Sequence, residues 1–273
     1  MSELASGAAG TGGLPTSLAV FGPAALAAVT VAGYLVLGEP VAGHVLHRRF
    51  EGRLASDPAA RRSFYRRLLI LEWGLAVLAA VVSVAASGLG AGALGLTWPR
   101  SWPGPVTGVA VLVVLVFLVV SLRAMASGAL RAAAEQLRRR PGEGRHARPA
   151  VDATLAVLPR TTGERRLFTV VGMTAGICEE WLYRGFFLAV VSALAGGLPT
   201  VVLVLVAAAA FGLAHAYQGL AGVGTTAVLG GVLAALYLET GSLLLPVLLH
   251  AAIDLRFLLV PASVLPAVPR AAR

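Results

Sequence analysis

Charge is scarce in this chain. Only 13% of its 273 residues are Asp, Glu, Lys or Arg, about half the roughly 25% of an ordinary soluble domain. So little charge, beside so much apolar residue, excludes intrinsic disorder. It also argues against a soluble globule, which could not cover its surface with polar groups. Lysine is missing altogether, so all 22 basic residues are arginine. The single cysteine, Cys178, excludes an intramolecular disulfide and a Cys-rich metal site. Beside a carboxylate, which disfavours a thiolate, it reads as a buried inert thiol. No HExxH, GxSxG or P-loop motif is present, and no GxGxxG precedes a helix. Soluble-type zinc proteolysis, serine-hydrolase chemistry and nucleotide chemistry are therefore unsupported. The first 13 residues carry Glu3 and no basic run, so they do not read as a cleaved signal peptide.

What is present is apolar: 58% of residues are hydrophobic and the mean hydropathy is +0.83. A membrane-spanning helix needs about 20 such residues to cross about 30 Å. Seven stretches qualify: Leu18 to Gly38, Leu68 to Ser87, Val106 to Leu122, Leu167 to Val191, Thr200 to Tyr217, Val223 to Leu238, and Leu243 to Val260. Pro23 is placed to kink the first. An eighth helix results if the chain breaks after Arg184. The expected fold is an all-α, polytopic bundle of seven to eight transmembrane helices. Residues 1–159 read as scaffold helices with Arg-rich loops, and residues 160–273 as the half that carries chemistry.

The net charge of +9 does not point to nucleic acid, because the arginines cluster between apolar stretches. Seven lie from Arg48 to Arg67 and ten from Arg123 to Arg166, whereas Arg100 stands alone between Trp98 and Trp102. Basic loops that alternate fall on one side, and the positive-inside rule makes that side cytoplasmic. The expected setting is a multi-pass protein of the cell membrane with the N-terminus outside and Arg270 and Arg273 inside. The two tryptophans suit an interfacial belt. The segment Arg138 to Pro149, rich in Arg, Gly and Pro, reads as a linker lying on anionic lipid headgroups.

Ionisable groups inside a membrane span cost at least a few kcal/mol and normally face a polar cavity or one another. Glu179, Glu180, Arg184, His215, His250, Asp254 and Arg256 fall within three spans. Glu180 and Arg184 are four apart on one helix face, in the favourable order for an ion pair. That leaves Glu179 about 100° round the helix. The same pattern also fits a purely structural network of buried ions. His215 follows Phe211 at four residues, and Asp254 follows His250 at four. Each pair alone fits a hydrogen-bonded core residue as well as a site. Together they suffice for general-base activation of water with oxyanion stabilisation. They also suffice for a divalent metal such as zinc, with Glu179, His215, His250 and Asp254 as candidate ligands.

The motifs EExxxR (Glu179 to Arg184), FxxxH (Phe211 to His215) and HxxxD (His250 to Asp254), in this order and each within an apolar helix, resemble those of the CPBP family. This family comprises the CAAX proteases and bacteriocin-processing enzymes, also called the Abi family. The flanks Tyr183-Arg184-Gly185 and Thr240-Gly241-Ser242-Leu243 are similar too, and the resemblance covers roughly residues 160–260. It implies an intramembrane glutamate-type endopeptidase acting on a membrane-associated peptide or protein. Glu179 would be the general base and His215 would position the water. Glu180 and Arg184 would organise the site, and His250 and Asp254 would line the oxyanion side. The family's other form has Asn at the last position. An ionised Asp accepts hydrogen bonds but cannot donate one. The competing readings are a non-catalytic membrane scaffold, a bacteriocin self-immunity protein, and a transporter that uses the buried ions as a proton relay.

Overall fold

The computed structural model of the chain describes residues 13–54, 56–100, 104–127, 155–262 and 265. Trp102, the Arg138 to Pro149 linker, Arg270 and Arg273 lie outside the described residues. Among the described residues there are eight α-helices and no strand: α1 (Ala25–Arg53), α2 (Ala60–Ala85), α3 (Pro105–Ala126), α4 (Thr162–Glu180), α5 (Leu188–Leu194), α6 (Thr200–Ala214), α7 (Gly219–Thr240) and α8 (Leu244–Leu255). Four stretches, Leu18–Arg53, Ala60–Ala85, Pro105–Met125 and Ala216–Thr240, are helical, long and apolar enough to cross a membrane. The protein is a polytopic all-α bundle.

The first apolar stretch is broken where Pro23 stands. Residues Leu18–Ala24 form a 3-10 turn, Gly22 is non-helical at φ 50° and ψ −130°, and α1 begins only at Ala25. The region Arg48 to Arg67 is not the loop expected from sequence. Arg48, Arg49 and Arg53 ride the last turns of α1, and Arg61, Arg62, Arg66 and Arg67 the first turns of α2. The helices continue past their apolar stretches because arginine is itself a good helix former. Arg61 is buried against the start of the second half, where its Nε donates to the Ala156 carbonyl at 2.9 Å.

α4 opens with a capping box. Thr161 Oγ1 accepts from Glu164 N at 3.2 Å, and Glu164 Oε2 accepts from Thr161 N at 3.1 Å. This satisfies donors that a helix start would otherwise leave bare. The chain does not break after Arg184. The chain passes from α4 into a π-helical turn, Trp181–Phe187, and on into α5 without a loop. The last expected span is shorter than its apolar run. α8 has 12 residues and is followed by a 3-10 turn, Arg256–Leu259. At about 1.5 and 2.0 Å per residue these reach roughly 26 Å.

Packing relies on close approach rather than large interlocking side chains. A Cβ at Gly176 of α4 would stand 3.0 Å from the backbone of Val247 and Ala251 of α8. One at Gly230 of α7 would stand 2.9 Å from the Phe211 ring. Small residues at such crossings let membrane helices meet backbone to backbone. The remote end of α7 is tied to α3, since Glu239 accepts from Val106 N at 3.0 Å and Thr107 N at 2.6 Å. The opposite faces are apolar and open: Leu112, Val116 and Val120 of α3 are exposed. Soluble proteins rarely show patches of that kind, and hydrocarbon is the solvent that suits them.

Candidate active site

α4, the π turn, α6, α7 and α8 bring the three sequence clusters to one place. At its centre is a buried trio. Arg184 Nη1 donates to Glu180 Oε1 at 2.7 Å, with both side chains fully buried. His250 Nδ1 lies 2.6 Å from the same oxygen. Arg184 also donates through Nη2 to the Gly230 carbonyl at 3.0 Å, and its guanidinium lies 4.4 Å from the Phe211 ring centroid. A side chain at Gly230 would crowd the Phe211 ring on which that guanidinium lies. Glu180 thus holds one face of the imidazole, with Arg184 balancing its charge in a low-dielectric setting. π turns interrupt helices preferentially at functional sites, and this one carries Arg184.

The other ring nitrogen of His250 faces the remaining acids. Nε2 lies 3.8 Å from Glu179 Oε2 and 3.9 Å from Asp254 Oδ2. Glu179 Oε2 is shielded from solvent and has no hydrogen-bond partner. His215 Nδ1 lies 2.9 Å from the Phe211 carbonyl oxygen. A carbonyl can only accept, so Nδ1 carries the proton and, in the neutral ring, Nε2 keeps its lone pair. Glu179, His215, His250 and Asp254 all line one cavity of about 220 Å³.

Two further acids of that cavity come from the half read as scaffold. Glu39 of α1 accepts from the Tyr183 hydroxyl at 2.5 Å, and Glu72 of α2 has a shielded oxygen without a partner. Both line the cavity. Sequence reasoning passed over them, although each is an acid beside or inside an apolar run and carried the same signal as Glu179. α2 is held against the π turn by Trp181 Nε1, which donates to the Ala76 carbonyl at 3.1 Å. Cys178 is buried and unbridged.

The donor set does not fit a resident metal. Zinc with bonds of about 2.1 Å in tetrahedral geometry holds its ligand atoms roughly 3.4 Å apart. The imidazole of His250 stands farther than that from both carboxylates. Among the described residues no group of three His, Cys, Asp or Glu is arranged to hold a metal ion.

Residues 163–256 match the family model of the type II CAAX prenyl endopeptidase, Rce1-like proteins. That segment contains all seven fixed residues of the three motifs, and the resemblance to CAAX proteases read from them is shown there. No curated protein and no solved structure matches the chain.

Proposed function

We propose that this protein is an intramembrane endopeptidase in which Glu179 activates water for attack on a peptide bond near or within the bilayer. The observation that carries the reading is the unpartnered oxygen of Glu179, held in the same cavity as the free nitrogen of His215 and the ring of His250. An acceptor shielded from solvent, with no partner of its own, is suited to take a proton from water. The lone pair on His215 Nε2 accepts from the same water and orients it.

The water oxygen bonds to the scissile carbonyl carbon as Glu179 takes its proton. The carbonyl π electrons move onto oxygen, and a proton held on His250 Nε2 serves there as donor. Glu180 and Arg184 act through His250 by fixing its ring. The C–N bond then breaks, and the proton on Glu179 passes to the leaving nitrogen.

The setting we propose is the cell membrane, with the Arg-rich ends of α1 and α2 in the cytoplasm. The cavity lining supports entry from that end, since it runs from Glu72 and Glu179 to Leu46, Val157 and Leu158. The test is cleavage of a membrane-tethered peptide by purified protein. Glu179→Gln keeps the shape and removes proton acceptance, so cleavage is expected to fall by about 10²-fold or more. A folded Glu179→Gln protein that cleaves at the parental rate would remove Glu179 as the base. A parent protein that binds such peptides without cleaving them would be a scaffold instead.

A further inference from the structure

The partition formed by His215, His250 and Asp254 has a second side. A cavity of about 440 Å³ lies between α3, α7 and α8 and shares His215, Gln218, His250, Asp254 and Phe257 with the one already described. Its outer wall is largely apolar, with Phe117, Met125 and Leu229. In that wall stands Arg256, the only arginine of the lining among the described residues, and the proposed chemistry leaves it unused.

Arg256 is held by its faces rather than by an anion. Its guanidinium carbon lies 4.8 Å from the ring centroid of Phe117 and 4.0 Å from that of Phe257. Nη1 donates to the Ile253 carbonyl. Nε is shielded from solvent and has no partner. No carboxylate among the described residues lies within 4.0 Å of the guanidinium. A guanidinium offers five N–H donors in a planar fork that suits a carboxylate, and stacking on rings leaves that edge free. A cation inside a membrane bundle normally has an anionic partner. Here the described residues supply none at contact distance, while the cavity beside it leads to the proposed reacting groups.

We propose that Arg256 binds a carboxylate of the substrate, so that the peptide crosses the partition with its anionic end on the α3 side. The opposite cavity supports this direction. Asp254 lines both cavities, but only the opposite one adds Glu39, Glu72 and Glu179, which would repel a carboxylate placed there. The inference takes its ligand from the endopeptidase reading but does not depend on turnover. The carboxylate is either the peptide's C-terminus or an Asp or Glu side chain.

The experiment measures binding to the full-length Glu179→Gln protein in nanodiscs, with parental cleavage assayed separately. Three fluorescent apolar peptides of one sequence are used: a free acid, a C-terminal amide, and an amide carrying one Glu near its end. At least tenfold tighter binding of the free acid than of the plain amide supports the proposal and assigns the carboxylate to the C-terminus. The same preference for the Glu-bearing amide supports it and assigns a side chain. Adding Arg256→Gln is expected to bring the preferred ratio to about one, and Arg256→Lys to retain part of it. Equal binding of all three peptides overturns the proposal. So does a ratio that survives Arg256→Gln while all affinities fall together, because Arg256 would then only support the fold. Carboxylate preference without parental cleavage would sink the endopeptidase reading and leave this one standing. Cleavage without preference would do the reverse.

Discussion

At the scale of single residues, the arrangement gives adjacent or paired acids different tasks. Glu180 is fully buried and contacts both Arg184 and His250, whereas Glu179 has a free oxygen. Removing the charge of Glu180 leaves a buried guanidinium without its anion, a loss of about 3–5 kcal/mol when one partner of a buried pair is removed. Glu180→Gln is therefore expected to lower the thermal midpoint in detergent, while Glu179→Gln leaves it near the parental value. Circular dichroism melts of both variants check this, and the reverse order would exchange their roles. Asp254 is weighed in the same way. It stands 3.9 Å from His250, too far for a hydrogen bond, and Glu180 already fixes the ring. Asp254→Asn is thus expected to keep cleavage. If Asp254 were a metal ligand or the working partner of His250, the same change would cost about 10- to 100-fold. A folded, inactive Asp254→Asn protein rescued by zinc would decide against the metal-free site.

At the scale of elements, the bundle depends on helices that touch at glycine. Gly176→Ala places a Cβ 3.0 Å from backbone atoms of α8 that cannot turn aside, and overpacking of this kind costs about 1–3 kcal/mol. The lipid-facing Val170 of the same helix is the comparison: Val170→Ala is expected to change stability by less than about 0.5 kcal/mol. Melting curves of the two variants that coincide would mean that α4 and α8 are not locked where their backbones meet. The same elements explain what the sequence made legible. The pairs Glu180/Arg184, Phe211/His215 and His250/Asp254 are four apart, and a helix alone puts such neighbours on one face. Their grouping was therefore readable, as were most of the apolar runs. The contacts between helices were not. Nothing local says that α1 and α2 would turn Glu39 and Glu72 towards Glu179, or that Glu180 would hold His250 from another helix. The π turn is likewise hidden, because its extra residue is accommodated by packing and not by any spacing along the chain.

For the whole molecule, the arginines are expected to set the orientation. Those of α1, α2 and the start of α4 gather at one end, where Arg61 lies 3.9 Å from Glu164 and bonds Ala156. That end is expected to be cytoplasmic. Ser56 lies exposed in the short turn between α1 and α2. With Cys178 replaced by Ala, Ser56→Cys should react with an impermeant maleimide in inverted vesicles and stay unlabelled in intact cells. Labelling of intact cells would invert the assignment. The glycine crossings also bear on how a map of tolerated substitutions should be read. Gly176 and Gly230 have no side chain to donate or titrate, yet any larger residue there must move a neighbour. In such a map they would stand out as sharply as Glu179 or His250. Intolerance alone would not separate chemistry from architecture, but the kind of failure would: loss of protein at the glycines, and inert protein at Glu179.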